Sequence, residues 1–133
     1  MKLLLSLLLI GSLAMTQNGC SGRNKAAKTN DNCYKGRLEI KGGCMNYTIS
    51  VVEGNIDTSL IQSSWTDEHS GKTYTNVFAL GSKCTFPDKI NEGDEFYFVI
   101  DSTQTQECAV CMMYYPVPSK SLLIRVISEP CDK

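Results

Sequence analysis

The cysteines constrain this chain more than any other feature of its sequence. Seven of them occur in 133 residues, a density typical of small exported proteins in which disulfide bonds supplement a limited core. Each bridge contributes about 2–4 kcal/mol, mainly by restricting the unfolded chain. We therefore expect the protein to fold in an oxidising compartment with most of its cysteines paired.

The first 19 residues have the pattern of a signal peptide. Lys2 supplies a positive charge, and an apolar run extends from residue 3 to about residue 15. This run is too short to span the roughly 30 Å hydrocarbon core of a bilayer, and it matches the hydrophobic region of a secretory signal. The sequence therefore predicts an exported protein with a signal peptide at residues 1–19.

Cys20 is predicted to carry a lipid anchor. Gly19 is the small residue that lipoprotein processing requires before the acylated cysteine, although the two residues before it differ from the usual lipobox. The number of cysteines supports lipidation, because seven is odd, whereas removing Cys20 leaves six cysteines that can all pair. The alternative is an ordinary peptidase cut near Ala14 or Gly19. Residues 20–32 lack large apolar side chains, and this composition is typical of a flexible tether.

From residue 33 onward, the alternation of apolar and polar side chains predicts one all-β domain that covers residues 33–133. Strands are predicted at residues 34–41, 45–51, 60–66, 74–80, 95–100, 111–115 and 122–128. The first two form a hairpin, or one long strand bent at the glycine pair Gly42-Gly43. This set of short strands favours a small antiparallel barrel of the OB type or a sandwich, stapled by disulfides.

The domain contains six candidates for disulfide bonds: Cys33, Cys44, Cys84, Cys108, Cys111 and Cys131. Many pairings of six cysteines are possible, and sequence alone does not choose among them. If the first and last strands are antiparallel neighbours, Cys33 begins one strand where Cys131 ends the other, so these two can bond. Cys44 and Cys84 then either share partners with Cys108 and Cys111 or pair with each other.

Cys108 and Cys111 form a Cys-x-x-Cys motif, which also occurs in redox and metal-binding proteins. A redox motif needs a thiol activated at a helix N-terminus, whereas this motif runs into a strand-like segment. Thiolates suit Cu(I) and Zn(II), and Cys44 and Cys84 complete a possible set of four ligands. Structural disulfides with no metal and no cofactor are the preferred interpretation, and a soft-metal or thiol-redox protein is the alternative.

Little else in the sequence points to catalysis. His69 is the only histidine, and it lies in a polar turn, so a catalytic dyad built on it is not favoured. Residues 33–133 contain 13 acidic and 9 basic side chains, which argues against nucleic-acid binding. We therefore predict a protein that is not an enzyme. Four aromatic residues are candidates either for a ligand-binding face or for the core: Trp65, Tyr74, Tyr114 and Tyr115.

The arrangement of signal, Cys20, Ser21 and polar tether resembles small lipoproteins of Bacteroidota-type bacteria. The runs at residues 33–36, 92–98 and 108–112 (CYKG, EGDEFYF and CAVCM) are similar to uncharacterised proteins of that kind. The resemblance implies a location in the cell envelope and no known activity. The expected function is a binding or structural role, with membrane attachment through Cys20, an unknown protein or small-molecule ligand, or secretion if no lipid is attached.

Overall fold

The computed structural model describes residues 31–131, and its regular elements are strands and one short 3-10 turn at Gly43–Met45. The strands are β1 (Cys33–Lys41), β2 (Tyr47–Glu53), β3 (Gln62–Thr66), β4 (Thr73–Leu80), β5 (Glu95–Ile100), β6 (Ser121–Leu122) and β7 (Ile124–Ile127). The predicted all-β, disulfide-stapled fold is confirmed. The predicted signal peptide, Cys20 and residues 20–30 of the predicted tether lie outside the described residues.

The strands form one sheet in the order β3-β4-β2-β1-β5-β7, and every pairing along this path is antiparallel. The two-residue strand β6 adds a parallel pairing with β4. Because β6 and β7 are nearly continuous, residues 121–127 link the two sides of the curled sheet. The barrel of the sequence-based prediction is therefore only a loose description, since no full strand closes the sheet.

Alternation explains which face of the sheet is buried. In β1, Leu38 and Ile40 point into the core, whereas Arg37 and Glu39 lie on the outer face. Gly36 shares the inner face, where a Cβ would lie 3.0 Å from the Phe98 ring. A larger residue there would displace the aromatic core. Other side chains with almost no exposure are Ile49, Val77, Phe78 and Ile124.

The first two predicted strands form a hairpin around the 3-10 turn, as expected, but the strand predicted at residues 111–115 is absent. Cys108 and Cys111 are bonded to two different loops, and Pro116 follows directly. The segment therefore lies outside the sheet, despite its apolar sequence. The last predicted strand, at residues 122–128, is divided into β6 and β7.

The Cys33–Cys131 bond is present, with 5.6 Å between the Cα atoms. The assumption that the first and last strands are antiparallel neighbours is wrong, however. β5 lies between β1 and β7, so the first and last strands are not neighbours. After β7 the chain turns back to reach the start of β1. The bond joins residues 98 positions apart and so encloses almost the whole domain.

The β3–β4 hairpin bends away from the rest of the sheet. β4 pairs with β2 only at residues 77–79, whereas it pairs with β3 over residues 73–77. Asn76 lies at the junction with a φ of 53°, a left-handed conformation that asparagine tolerates better than most residues. At the hairpin tip, the His69 ring lies 5.0 Å from the Tyr115 ring, and Tyr115 packs on Gly42. The hairpin thus crosses the outer face toward the end of β1.

Ser82 joins the end of β4 to the start of β7. Its side chain is fully buried, and its hydroxyl donates to the carbonyl oxygen of Ile124 at 2.7 Å while accepting from the Ile124 N–H at 2.9 Å. One hydroxyl therefore satisfies both backbone groups of a buried residue at the point where the two sides of the sheet meet.

Replacing Ser82 with alanine is expected to lower the free energy of unfolding by about 2–3 kcal/mol, because both backbone groups of Ile124 lose their buried partner. Urea denaturation should show a lower midpoint with an unchanged slope. The control is Ser63→Ala on the exposed part of β3, which should change stability by less than about 0.5 kcal/mol. Equal stabilities of the two variants would contradict this role of Ser82.

Candidate functional site

Three consecutive large apolar residues, which we call the apolar loop (residues 112–114), face solvent. Met112 is fully exposed, Tyr114 is 82% exposed and Met113 is 53% exposed. A single exposed apolar residue is ordinary, but a consecutive run of them is unfavourable in water unless it serves binding. The apolar loop is therefore the candidate functional site of the described residues.

Two disulfides hold the apolar loop from its N-terminal side. Cys111 is bonded to Cys44 in the 3-10 turn, and Cys108 is bonded to Cys84, which follows β4. The Cα–Cα distances are 5.2 and 5.5 Å, within the ordinary range for disulfides. The segment is thus fixed to two parts of the domain. Restricting a loop before it binds reduces the entropy that is lost on association.

Side-chain contacts fix the middle of the loop as well. Met113 packs so closely on Gly43 that a Cβ at that glycine would overlap the methionine methyl group. The Asn46 side-chain amide donates to the carbonyl oxygens of Gly43, at 2.9 Å, and Met113, at 3.2 Å. Its oxygen accepts from Lys83 Nζ at 3.0 Å. Part of Met113 therefore packs against the domain, so Met112 and Tyr114 are the residues of the loop most accessible to a ligand.

The turn beneath the loop has an unfavourable backbone conformation. Cys44 and Met45 have φ values of 57° and 56°, in the left-handed region that costs a non-glycine residue about 1–2 kcal/mol. The Cys44–Cys111 bond and the Asn46 hydrogen bonds hold this conformation in place. Backbone strain of this kind is concentrated at functional sites, which supports a role for the loop that the turn carries.

Cys108 and Cys111 are not bonded to each other. The four cysteines considered as metal ligands form two disulfides, Cys44–Cys111 and Cys84–Cys108, and a disulfide sulfur lacks the thiolate character that redox and soft-metal chemistry require. Within residues 31–131, no group of three or more His, Cys, Asp or Glu residues is placed to hold a metal ion.

The four aromatic candidates do not form one face. Trp65 and Tyr74 stack across the β3–β4 hairpin, with 6.2 Å between ring centroids. Burial raises the pKa of Tyr74, and nearby carboxylates, Glu39 first among them, add to this effect. Tyr115 is half-buried against His69, so only Tyr114 projects freely into solvent.

Hydrogen bonds order the turn that carries His69. The Asp67 carboxylate is buried and accepts from the Ser70 hydroxyl at 2.6 Å, from the Ser70 N–H at 2.9 Å and from the His69 N–H at 3.3 Å. These bonds hold the pKa of Asp67 below its usual range, and the bond from the Ser70 hydroxyl has the largest effect. The hairpin tip therefore has a fixed shape where it meets Tyr115.

The outer face of β1 and β5 carries a group of paired charges. The Glu95 carboxylate lies 2.8 Å from Lys35 Nζ and 2.7 Å from Arg37 Nη2. Hydrogen bonds from Lys35 and then Arg37 lower the pKa of Glu95 and raise the pKa values of both bases. Exposed pairs of this kind add little stability, so the group mainly sets the charge pattern of this face.

The apolar loop and Cys33 lie at opposite ends of β1. Cys33 begins β1, whereas Cys44, which holds the loop, comes three residues after the end of β1 at Lys41. A strand of nine residues spans about 26–30 Å at roughly 3.3 Å per residue. The loop therefore lies at the end of β1 opposite Cys33.

Comparisons of the chain with protein-family models, with curated proteins and with solved structures found no match. A search of residues 31–131 for a helix long and apolar enough to cross a membrane also found none.

Replacing both Cys44 and Cys111 with alanine is expected to release the apolar loop while the sheet remains folded. Chymotrypsin should then cleave after Tyr114 at least about tenfold faster under native conditions, because the loop opens locally more often when the Cys44–Cys111 bond no longer holds it. The matched control is the Cys33→Ala/Cys131→Ala double variant, which also lacks one disulfide but should leave cleavage in the loop nearly unchanged. Equal cleavage rates in the two double variants would show that the Cys44–Cys111 bond does not restrict the loop.

Proposed function

We propose that this protein is an exported, membrane-tethered binding domain that presents the apolar loop to a partner protein in the cell envelope. The observation that carries the proposal is the exposure of Met112, Met113 and Tyr114 on a segment held by two disulfides. Exposing an apolar run to water is energetically unfavourable, and the cross-links at its base preserve that exposure. Binding to a complementary apolar surface explains both features.

The compartment follows from the cysteines in two steps. Three disulfides within the described residues indicate an oxidising, extracytoplasmic environment. The apolar N-terminal run and the single cysteine at position 20 then support export followed by lipid attachment to Cys20, with residues 20–32 as the tether. We therefore propose that the protein is located in the cell envelope and is anchored to the membrane through Cys20.

The position and composition of the loop favour a protein partner over the membrane of the anchor. The loop lies at the far end of β1 from Cys33, so a tether attached near Cys33 joins the domain at the end opposite the loop. Methionine adapts its flexible thioether to irregular apolar pockets, and tyrosine combines apolar area with a polar hydroxyl and is enriched in binding hot spots. A partner with an apolar groove and a hydrogen-bond acceptor at its rim fits this chemistry.

A photo-crosslinking amino acid at position 112 or 114 of the full-length protein in its native host is expected to give one discrete protein adduct. The same amino acid at Ser63, which is exposed on the β3–β4 hairpin, is the control and should not give that adduct. Removing the Cys44–Cys111 bond by the double alanine substitution should reduce the adduct severalfold, because the loop is then no longer preorganised. No adduct at either loop position, or the same adduct from Ser63, would contradict the proposed binding role.

Lipid attachment has a separate test in the intact mass of the protein purified from its native host. We expect a mature chain that begins at Cys20, carries acyl chains and has six cysteines oxidised. Cys20→Ser should abolish acylation and release the protein from the membrane fraction, while Ser21→Ala should leave both unchanged. A mass without acyl chains would show that the chain is secreted after an ordinary peptidase cut, which would remove the anchor from the proposal but not the binding loop.

A further inference from the structure

The edge of β2 that faces β4 is open over its last three residues. On one side, β2 pairs with β1 as far as Glu53. On the other side, its pairing with β4 ends at Ser50, which lies opposite Val77. Residues 51–53 have no strand partner on that side within residues 31–131, because β4 turns away at Asn76. We call these residues the open edge.

Two cavities flank the open edge, one on each face of the sheet. The inner cavity, of about 280 Å³, is lined by Ile56 and Ile61 of the core and by the amide of Asn76. The outer cavity, of about 270 Å³, lies beneath the β3–β4 hairpin and is lined by Arg37, Glu39, Lys72 and Tyr74. Both cavities include Val51 and Val52, so they meet at the open edge.

We propose that the open edge binds an extended peptide segment of a partner protein by strand addition. Unpaired N–H and C=O groups along a strand edge are a template for another strand, and peptide-binding domains use such edges for recognition. Successive side chains of an added strand point to opposite faces of the sheet. One side chain of the peptide therefore enters the inner cavity, and its neighbour in the sequence enters the outer cavity.

The lining residues define the side chains that the peptide supplies. The inner cavity has polar as well as apolar lining residues, with Asn55, Thr58 and Asn76 beside the buried Ile56 and Ile61, so the preference for a particular side chain lies in the outer cavity. In the outer cavity, the Arg37 guanidinium is paired with Glu95 at 2.7 Å, and the Glu39 carboxylate accepts the Ser50 hydroxyl at 2.6 Å. The ligand is thus an extended peptide with an acidic residue on the side of the outer cavity, where Lys72 favours a negative charge.

Lys72 is the charge in the outer cavity that remains available for a ligand. Its Nζ lies 4.7 Å from the centroid of the Tyr74 ring, and no carboxylate within residues 31–131 is at ion-pair distance from it. A carboxylate in the peptide would supply that missing partner, whereas a lysine at the same position would meet a like charge.

The open edge carries only part of the protection that exposed strand edges usually have. Natural proteins block such edges with proline, lysine, bulges or covering segments. Residues 51–53 are Val-Val-Glu and contain neither proline nor lysine, although the pairing register with β1 shifts at Val52. The bend at Asn76 opens the space beside this edge and leaves it uncovered by β4.

The test uses the oxidised, 15N-labelled protein and the capped octapeptide Thr-Val-Thr-Val-Glu-Val-Thr-Val, which alternates apolar and polar residues around one glutamate. We expect chemical-shift changes at Val51, Val52, Glu53 and Asn76. Two further peptides, N-methylated at alternate residues in complementary patterns, separate backbone pairing from side-chain contact. One of the two should bind at least about tenfold more weakly, because N-methylation on the paired side removes the ladder hydrogen bonds.

Charge reversal tests the assigned specificity. The native protein should prefer the glutamate peptide over its lysine counterpart by about fivefold, and Lys72→Glu should reverse that order. Lys89→Glu, on an exposed loop outside the outer cavity, is the matched control and should leave the preference unchanged. A Lys72→Glu variant with the native preference would overturn the assignment of an acidic ligand.

Three outcomes would overturn strand addition itself: no shift changes at millimolar peptide, full binding by both N-methylated peptides, or shift changes confined to residues 112–114. The last outcome would support the apolar loop as a binding site while removing the open edge. Because the two sites share no residues, either proposal can fail without the other.

Discussion

The three disulfides are the interactions on which the conformation outside the sheet depends. Each joins a residue at or near the end of a strand to a segment without regular structure: Cys33 to Cys131, Cys44 to Cys111 and Cys84 to Cys108. Residues 101–120 contain no strand, so no ladder of backbone hydrogen bonds holds them. Closing a loop covalently removes much of the entropy that such a segment gains on unfolding. The sheet therefore forms the core, and the disulfides give the long connection between β5 and β6 a defined path.

The strands were predictable wherever burial on one face imposes a period of two. β1, β4 and β5 agree with the sequence-based boundaries to within about one residue, because residues such as Leu38 and Ile40 alternate strictly with charged ones. The prediction of a strand at residues 111–115 was wrong, because a run of apolar residues also occurs where a loop exposes such residues to solvent. Pro116 and Pro118 were the available signal, since proline cannot donate to a ladder. Openness of the sheet was not predictable, because it depends on tertiary pairing.

The candidate site was only partly visible in the sequence, for the same reason. Cys108 and Cys111 attract attention as a motif, but their two different partners give them a structural role that spacing alone does not reveal. The residues that distinguish the site are Met112 and Tyr114, whose types normally indicate a core. The open edge is equally hidden, because residues 74–80 read as one continuous strand in the sequence while the pairing partner changes from β3 to β2 near Asn76.

The Cys44–Cys111 bond connects the shape of the apolar loop to the compartment in which the protein works. The turn that carries Cys44 and Met45 has two left-handed non-glycine residues, an unfavourable arrangement that costs about 1–2 kcal/mol for each. A disulfide contributes about 2–4 kcal/mol, which is comparable to this cost, so the turn and the loop are mutually stabilised only while the bond is intact. In a reducing environment the strain favours relaxation of the turn, and Met113 then loses its contact with Gly43. Presentation of Met112 and Tyr114 in a fixed geometry is therefore a property of the oxidised protein. In the reduced chain the same apolar residues therefore lack a fixed arrangement.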